Sequence, residues 1–194
     1  MHRSMSKNIQ SRFLSHQMET QVVTKRVIMD PCDVFISYRC LDTKTTVAAP
    51  IYDHLRRLDI YRVSPFLGQQ DYEAGGILEC KIGLAVMSRR YCESYFCLHE
   101  LALLMECRKK VIPIFVDIKP SQLRLITNKK WTLQDHHRFK FAVEEAKNTV
   151  GLTFNSSQGN ITGIVTSATD IIIESMTELE HEEAQMQHSY LPIS

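Results

Sequence analysis

Short apolar runs alternate with helix-forming segments over residues 31–180, and this alternation is the strongest constraint that the sequence places on the fold. The apolar runs are of strand length and cover residues 32–38, 60–66, 82–87 and 111–118. Strands that alternate with helices are typical of a parallel sheet with helices packed on both faces. The sequence therefore predicts a three-layer α/β domain with a central parallel sheet.

Turn and cap residues set the expected limits of the helices. Asp42 and Thr43 are good N-cap residues, and Pro50 should kink the helix that they begin or cost it about 3 kcal/mol. Ser94 is the expected N-cap of a second helix, and the glycine-rich stretch 67–76 is an expected loop. The predicted helices cover residues 42–58, 95–108, 139–147 and 161–179.

Glu100 is an acidic residue within an otherwise apolar helix start, where Phe96, Leu98, Leu101 and Leu104 define one face. Charged side chains are rarely buried unless another group pairs with them. One interpretation is a solvated glutamate on the polar side of an amphipathic helix. The other is a carboxylate that lines a cleft beside an aromatic ring, and the segment alone leaves both open.

The carboxyl ends of parallel strands share one rim of the sheet, and ligands of such sheets bind in the crevice beyond that rim. The predicted rim segments are residues 39–44, 68–76, 88–94 and 117–123. Glu100 comes just after the third of these segments, which puts it near a candidate site.

Composition argues against several classes of function. The formal net charge is +1, and the basic residues are too scattered to form a nucleic-acid patch. No apolar run approaches the roughly 18 residues that cross a bilayer, so no membrane partner is expected. The six cysteines show neither a CxxC pair nor the spacing of zinc ligands, which predicts free thiols in a reducing compartment and no metal site.

The two ends of the chain differ from the middle. Residues 1–30 are basic and poor in acids, and they lack the apolar stretch of a secretory signal, so a disordered leader is expected. A transit-like peptide that targets an organelle is the alternative for this segment. Residues 181–194 are acidic and then polar, as expected of a flexible tail, which leaves residues 31–180 as the folded domain.

Three motifs along this domain occur in the order and spacing of a known family. They are Asp-Val-Phe-Ile-Ser-Tyr-Arg at residues 33–39 with Asp-Thr-Lys at 42–44, Ser-Tyr-Phe-Cys-Leu-His-Glu-Leu at 94–101, and Val-Ile-Pro-Ile-Phe at 111–115 with Pro120, Ser121 and Arg124 downstream. They resemble the Toll/interleukin-1 receptor (TIR) domains of plants, and the short TIR-only proteins in particular, over residues 31–180. The resemblance implies the three-layer, flavodoxin-like TIR fold.

The resemblance also implies an enzymatic activity. Plant TIR domains cleave the glycosidic bond of NAD to release nicotinamide, and some close the ADP-ribose into cyclic forms that act as immune signals. The catalytic glutamate of the family falls on Glu100, whose carboxylate would stabilise the positive charge that develops on the ribose. NAD is then the substrate, and neither a cofactor nor a metal is needed. The expected setting is plant defence signalling in the cytoplasm or the nucleus, with self-association or pairing with other TIR domains.

The resemblance places a set of substrate-binding residues around the catalytic glutamate. Phe96 would stack against a ring, Arg39 and Lys44 would meet the pyrophosphate, and Thr43 with the backbone amides after Asp42 would add donors. The full substrate-binding set is Arg39, Cys40, Asp42, Thr43, Lys44, Gly75, Ser94 and Phe96.

The sequence departs from the family pattern around the second helix. Gly68 and Gln69 stand where the family has acids, whereas Gly75 matches its glycine. Residues 76–81 make less than two turns at about 3.6 residues per turn, so the second helix is expected to be truncated to one turn at most and to leave part of the sheet uncovered. Since this region shapes the active site of the family, the alternative function is a non-catalytic TIR interaction module that pairs with other TIR domains in signal transduction.

A receiver domain of the response-regulator type has the same order of layers, with Asp33 as its phosphoacceptor. That alternative needs further acids at the strand ends and a lysine after a late strand. Asp117 alone offers little support for it.

Overall fold

The computed structural model describes residues 32–63, 74–126 and 128–189 of the chain. The predictions made for the basic leader, residues 1–30, and for residues 67–73 of the glycine-rich loop lie outside the described residues. So does the end of the predicted tail, residues 190–194.

The centre of the domain is a parallel sheet of four strands. The strands are β1, Val34–Tyr38; β2, Ile82–Met87; β3, Lys110–Val116; and β4, Leu152–Phe154. They lie in the order β1-β2-β3-β4, with Ile36 opposite Leu84 and Leu84 opposite Ile112 in the register. All three pairings are parallel, which confirms the predicted α/β class.

The strand predicted for residues 60–66 is wrong for the part that the structure describes. The chain bends just before Val63, which forms a single parallel bridge to Val34 on the outer side of β1. The Arg62 carbonyl oxygen accepts hydrogen bonds from the backbone N–H groups of Asp33, at 2.6 Å, and Val34, at 3.1 Å. The Asp33 carboxylate pairs with the Arg62 guanidinium at 3.1 Å, so loop contacts hold this segment where a strand ladder was expected.

Helices connect the strands and cover both faces of the sheet. They are α1, Cys40–Thr43; α2, Ala49–Leu58; α3, Ala74–Glu79; α4, Tyr95–Glu106; α5, Leu133–Asn148; and α6, Ile161–Ser189. Short 3₁₀ turns follow β2 and β3 at Tyr91–Glu93 and Pro120–Gln122. The last helix runs well past residue 179, where the sequence predicted its end, so part of the predicted tail is helical. In the segments that the structure describes, no helix is long and apolar enough to cross a membrane.

A change of helix type accommodates Pro50. Residues Lys44–Ala48 form a π-helical turn between α1 and α2, and Pro50 lies in the first turn of α2, directly after this change in the hydrogen-bond pattern of the helix. The predicted N-cap is wrong, because α1 begins at Cys40 with Arg39 as its N-cap. Asp42 lies instead within the first turn of α1.

Two hydrophobic clusters, one on each face of the sheet, make the domain three layers deep. On one face α3, α4 and α5 pack over the sheet, with Leu98, Leu101 and Phe139 fully buried. On the other face α2 and α6 pack over it, with Ile51 and Ile172 fully buried. Strand β2 lies between the clusters and every one of its residues is buried, as expected for a central parallel strand.

Helix α3 is short but it covers its part of the sheet. Its six residues make about 1.7 turns, so the expectation of one turn at most is wrong. Ile77 and Cys80 are fully buried in the cluster with α4 and α5, and the Lys109 ammonium donates to the Leu78 carbonyl oxygen at 2.6 Å. These contacts contradict the expected uncovered patch.

Ion pairs fasten the far half of α6 to the amino ends of two strands. Lys81, which precedes β2, pairs with Glu183 at 3.0 Å, and Lys110, which begins β3, pairs with Glu178 at 2.5 Å. All four side chains keep a large share of their surface in solvent, so each pair contributes at most about 1 kcal/mol. This helix therefore contacts the rim formed by the amino ends of the strands, opposite to their carboxyl ends.

A substitution at Gly83 in β2 tests how closely the sheet packs against α4. A Cβ atom there would lie 2.6 Å from the two Cδ atoms of Leu104, which is fully buried. We expect Gly83→Ala to lower the free energy of unfolding by about 1–3 kcal/mol, the usual effect of overpacking a core. Urea unfolding followed by circular dichroism measures the change.

The matched control is Gly163→Ala in α6, where the nearest atom to the new Cβ is the Asn160 Cβ at 3.8 Å. This variant gains helix propensity without a clash, so its free energy of unfolding should stay the same or rise by up to about 1 kcal/mol. Equal stability of Gly83→Ala and the wild type would show that Leu104 moves aside at no cost.

Candidate active site

The winding of the chain marks the carboxyl ends of β1 and β2 as the expected position of a ligand crevice. From β1 the chain first turns to the side where Val63 bridges to Val34, and then crosses to β2 on the opposite side. In open α/β sheets, ligands bind beyond the carboxyl ends of the strands at the point where the winding changes sides in this way. The residues that follow Tyr38 and Met87 therefore border the candidate site.

Glu100 lies on α4 near this end of the sheet. Ser94 is the N-cap of α4, as predicted, and its hydroxyl accepts a hydrogen bond from the Cys97 N–H at 3.4 Å. Further along the helix, the Glu100 Oε2 atom accepts a hydrogen bond from the Ser37 hydroxyl at 2.6 Å. Ser37 lies near the carboxyl end of β1, so the carboxylate is close to the rim; residues 68–73, its other expected border, lie outside the described residues.

Burial dominates the electrostatics of Glu100. It raises the pKa of the carboxyl from 4.5 to about 7, while the Ser37 hydrogen bond acts in the opposite direction by stabilising the charged form. The residue nevertheless keeps part of its surface open to solvent. A carboxyl that is half ionised near neutral pH and reachable from outside has the properties of a catalytic group.

The hydroxyl groups of Ser37 and Tyr91 form a buried chain next to this carboxylate. The Ser37 hydroxyl lies 2.6 Å from the Tyr91 hydroxyl, which in turn lies 3.1 Å from the Cys97 carbonyl oxygen. Both residues are fully buried, and burial raises the pKa of the Tyr91 phenol well above its usual value, so it stays neutral. The sequence predicts a place in the site for neither Ser37 nor Tyr91. A serine within an apolar strand could have revealed Ser37, since buried polar groups need partners, but no local pattern indicates Tyr91.

A second network joins the loop after β1 to the end of β2. The Arg39 guanidinium pairs with Asp42 Oδ1 at 2.6 Å, and the Ser88 hydroxyl donates to Asp42 Oδ2 at 2.6 Å. The Arg39 and Asp42 side chains are only 12% and 16% exposed, so solvent ions screen this pair less than a surface pair. Asp42 therefore fixes Arg39 at the rim, and the other guanidinium N–H groups are the ones that a substrate could meet.

The predicted binding residues after Arg39 lie at different depths. Thr43 is 1% exposed and its hydroxyl donates to the Arg39 carbonyl oxygen at 3.4 Å, so it faces the interior rather than a substrate. Cys40 is half-buried in α1, and Lys44 is exposed in the π-helical turn. The rim thus presents Lys44 to solvent and withdraws Thr43 from it, which corrects the expected role of the threonine as a donor.

Phe96 and Glu100 lie on the same face of α4, because residues four apart are neighbours on a helix. The Phe96 ring is 43% exposed, which is unusual for a phenylalanine and leaves a flat apolar surface beside the carboxylate. Gly75 is the second residue of α3. Substrate contact by Phe96 and by Gly75 stays a prediction.

A separate groove of about 830 Å³ lies beyond the carboxyl ends of β3 and β4, with Arg89, Asp117 and Lys119 among its lining residues. Asp117 has a left-handed backbone with φ of 56°. Its carboxylate accepts hydrogen bonds from the Ser156 N–H at 2.8 Å and the Ser156 hydroxyl at 2.6 Å. Asp117 therefore fastens the loop after β4.

The response-regulator alternative is wrong on geometry. Asp33 precedes β1 and pairs with Arg62, so it lies at the amino end of the strand. Asp117 lies at the carboxyl end of β3, where Ser156 occupies its carboxylate. The two acids are at opposite rims of the sheet and cannot form one phosphoacceptor site.

Comparison with known proteins identifies the family. Residues 34–147 match the family model described as the TIR domain, which is more than half of the chain. The chain belongs to the TIR domain family. The motifs around Arg39 and Glu100 both fall within the matched segment.

This TIR domain is similar to plant proteins along much of its length. It is 40% identical over 158 residues to a protein of Brachypodium distachyon named "Probable 2' cyclic ADP-D-ribose synthase BdTIR", with 76% of this chain and 70% of that protein covered. It is 30% identical over 144 residues to the TMV resistance protein N of Nicotiana glutinosa, with 61% of this chain and 12% of that protein covered. The chain thus matches most of the first relative and one segment of the second.

A solved structure shares the fold of this TIR domain. The TIR domains of the activated Roq1 resistosome, which directly recognises the pathogen effector XopQ, superpose with a TM-score of 0.61. The match covers 73% of this chain and 99% of that chain at 21% identity, so it establishes the fold alone.

Glu100 should make the stability of the TIR domain depend on pH. Because its folded-state pKa of about 7 exceeds the unfolded value of 4.5, its contribution to stability is full below pH 4.5 and is lost as the pH rises through 7. The lost part amounts to about 3 kcal/mol in alkaline solution. We therefore expect urea unfolding to show Glu100→Gln more stable than the wild type at pH 8 and about equally stable at pH 4.5.

Glu106, on the same helix, supplies a control of opposite sign. Its hydrogen bonds to Arg138 lower the pKa of its carboxyl, so its contribution is present above the usual pKa and is lost as the pH falls. Glu106→Gln should therefore be less stable than the wild type at pH 8, with a difference that shrinks in acid. A Glu100→Gln variant that is also less stable at pH 8 would contradict the burial of the Glu100 carboxylate.

Proposed function

We propose that this TIR domain protein is an NAD-cleaving enzyme that releases nicotinamide and closes part of the ADP-ribose into a cyclic isomer. The observation that carries the proposal is the Glu100 carboxylate, which Ser37 holds near the carboxyl end of β1 beside the crevice of the sheet. The activity named for the Brachypodium relative, a 2' cyclic ADP-D-ribose synthase at 40% identity, supports the same class of reaction for this chain.

The chemistry of the cleavage needs a negative charge beside the ribose. The glycosidic bond breaks with its electron pair going to the nicotinamide nitrogen, which becomes neutral, and the positive charge passes to the ribose. An ionised Glu100 stabilises that charge mainly in the transition state, where it lowers the barrier. Water then adds its oxygen to the ribose and loses a proton to give ADP-ribose. A hydroxyl group of the same molecule that adds in place of water gives a cyclic isomer instead.

The rim residues supply the substrate contacts of this proposal. Arg39, fixed by Asp42, meets the pyrophosphate together with the exposed Lys44. Phe96 stacks against a ring of the substrate one turn away from Glu100. NAD is the substrate rather than a bound cofactor, and the reaction as proposed runs without a metal ion because the carboxylate supplies the charge.

We propose that this activity takes place in the cytoplasm and serves plant defence signalling. We also propose that the protein self-associates with other TIR domains in that process. The names of the relatives support this setting, since one is a TMV resistance protein and the structural neighbour belongs to a resistosome. The six cysteines are free thiols and most of them are buried, which fits a reducing compartment. Burial raises the pKa of Cys80, Cys92 and Cys97 to about 12, so these thiols are unreactive.

Loss of the Glu100 carboxylate should remove most of the turnover. We expect Glu100→Ala to lower kcat for nicotinamide release by about 100-fold or more, because the carboxylate acts on a charge that exists mainly in the transition state. The assay incubates concentrated or crowded purified protein with NAD and measures nicotinamide by chromatography. Circular dichroism of both proteins checks that they are equally folded.

The matched control is Glu106→Gln, which changes a carboxylate of the same helix that pairs with Arg138. It should keep the wild-type rate. Wild-type protein that releases no nicotinamide even when crowded would favour the non-catalytic interaction module. If Glu100→Ala keeps most of the wild-type rate, Glu100 is not the catalytic carboxylate.

Phe96 should affect substrate positioning more than bond breaking. Phe96→Ala is expected to raise KM for NAD by up to about tenfold, the effect of losing one stacking contact, while kcat falls less. Phe141→Ala is the control, since Phe141 is 60% exposed on α5 and has no role in the proposed site. A lower kcat with an unchanged KM in Phe96→Ala would argue against stacking.

A further inference from the structure

A chain of buried hydroxyl groups runs from the Glu100 carboxylate into the interior. The Ser37 Oγ atom lies 2.6 Å from Glu100 Oε2 and 2.6 Å from the Tyr91 hydroxyl. The Tyr91 hydroxyl lies 3.1 Å from the Cys97 carbonyl oxygen. Ser37 and Tyr91 are each 0% exposed, so bulk water does not replace a partner that either of them loses.

The protons of this chain have two arrangements, and the charge of Glu100 selects between them. Each hydroxyl group has one proton to donate. With Glu100 neutral, its proton goes to Ser37, the Ser37 proton to Tyr91, and the Tyr91 proton to the Cys97 carbonyl. With Glu100 ionised, Ser37 donates to the carboxylate and Tyr91 turns to donate to Ser37. The chain therefore reverses its direction when Glu100 loses its proton.

Three titratable groups within the described segments feel the charge of Glu100, and all three are neutral at physiological pH. They are the Tyr38 phenol from β1, the Tyr91 phenol from the turn after β2 and the Cys97 thiol of α4 itself. Burial raises the pKa of all three groups. Arg39, whose charge acts on the Cys97 thiol, is paired with Asp42 at 2.6 Å. The Ser37 hydroxyl is therefore the group that stabilises the charged form of Glu100 by direct contact.

We propose that Ser37 and Tyr91 are positioning residues for the Glu100 carboxylate, Ser37 by direct contact and Tyr91 through Ser37. The inference rests on the proposed role of Glu100 in NAD cleavage. Because Ser37 occupies Oε2, this proposal leaves the Oε1 atom to interact with the ribose. The hydroxyl chain supplies the hydrogen bond that keeps the carboxylate ionised in the transition state, and neither hydroxyl touches the substrate.

The pH dependence of kcat separates this role from a merely structural one. Ser37→Ala removes the contact that favours the charged form, so the acidic limb of the pH–rate profile should move to higher pH by about one unit. Tyr91→Phe should move the limb in the same direction by less, because Ser37 keeps its own proton to donate. The double variant should match Ser37→Ala, since Tyr91 acts only through Ser37. Ser37→Thr keeps the hydroxyl and should restore the wild-type limb.

A titration without NAD keeps this inference separate from the proposed function. The ¹³C NMR signal of the Glu100 side-chain carboxyl, assigned by its loss in Glu100→Gln, reports the pKa of that group directly. Ser37→Ala should raise this pKa by about one unit. If the pKa rises by NMR while the wild-type protein cleaves no NAD, the hydroxyl chain stands and the proposed function fails.

Other results would overturn the inference. They are an unchanged NMR pKa in Ser37→Ala, a uniform loss of rate at every pH with an unmoved acidic limb, and a double variant that shifts further than Ser37→Ala. Circular dichroism checks that each variant is folded. Should Ser37→Ala fail to fold, Ser37→Cys offers a weaker donor at similar volume and should shift the pKa less in the same direction.

Discussion

The enclosure of β2 between two layers of helices is the constraint on which the rest of this structure depends. Every residue of the strand is buried, and the strand is paired with β1 on one side and β3 on the other. A strand held in this way cannot slide without disrupting close packing on both faces. The ends of β1 and β2 are therefore fixed relative to each other, which allows Ser88 at one end to meet Asp42 from the other at 2.6 Å.

Two carboxylates near this rim have different surroundings and, we infer, different tasks. Asp42 accepts hydrogen bonds from a guanidinium group and a hydroxyl group, so both of its oxygens are occupied in holding the rim together. Glu100 accepts one hydrogen bond from Ser37, and burial raises the pKa of its carboxyl to about 7. Environments that separate the behaviour of two acids in this way are how proteins divide structural from chemical roles.

Local pattern predicted the elements whose identity is local. The β2 strand was predicted with its full bounds because an all-apolar run of that length, with Lys81 before it and Ser88 after it, suits a buried strand. The β4 strand was missed because its three residues are too few to show any period. The sequence predicts a helix cap at Asp42 because it does not show that the Asp42 carboxylate contacts Ser88, 46 positions away.

The candidate site shows the same limit more sharply. Glu100 could be singled out as an acid in an apolar segment and by its place in a family motif. Its partner Ser37 lies 63 positions away, and Tyr91 lies 54 positions from Ser37, so only the folded chain brings the three together. The family motif therefore locates the candidate catalytic carboxylate, whereas the hydroxyl groups next to it come from the packing of β1 against α4 and the turn after β2.

The ion pairs of α6 give the two rims of the sheet different sensitivities to dissolved salt. At the amino ends, Lys81 with Glu183 and Lys110 with Glu178 stand in solvent, where the Debye length falls from about 8 Å at physiological ionic strength to about 3 Å at 1 M. At the carboxyl ends, buried hydrogen bonds around Ser37 and Tyr91 are out of reach of such ions. High salt therefore weakens the pairs that hold the far half of α6, whereas the hydroxyl hydrogen bonds next to Glu100 are insulated from the ionic conditions around the protein.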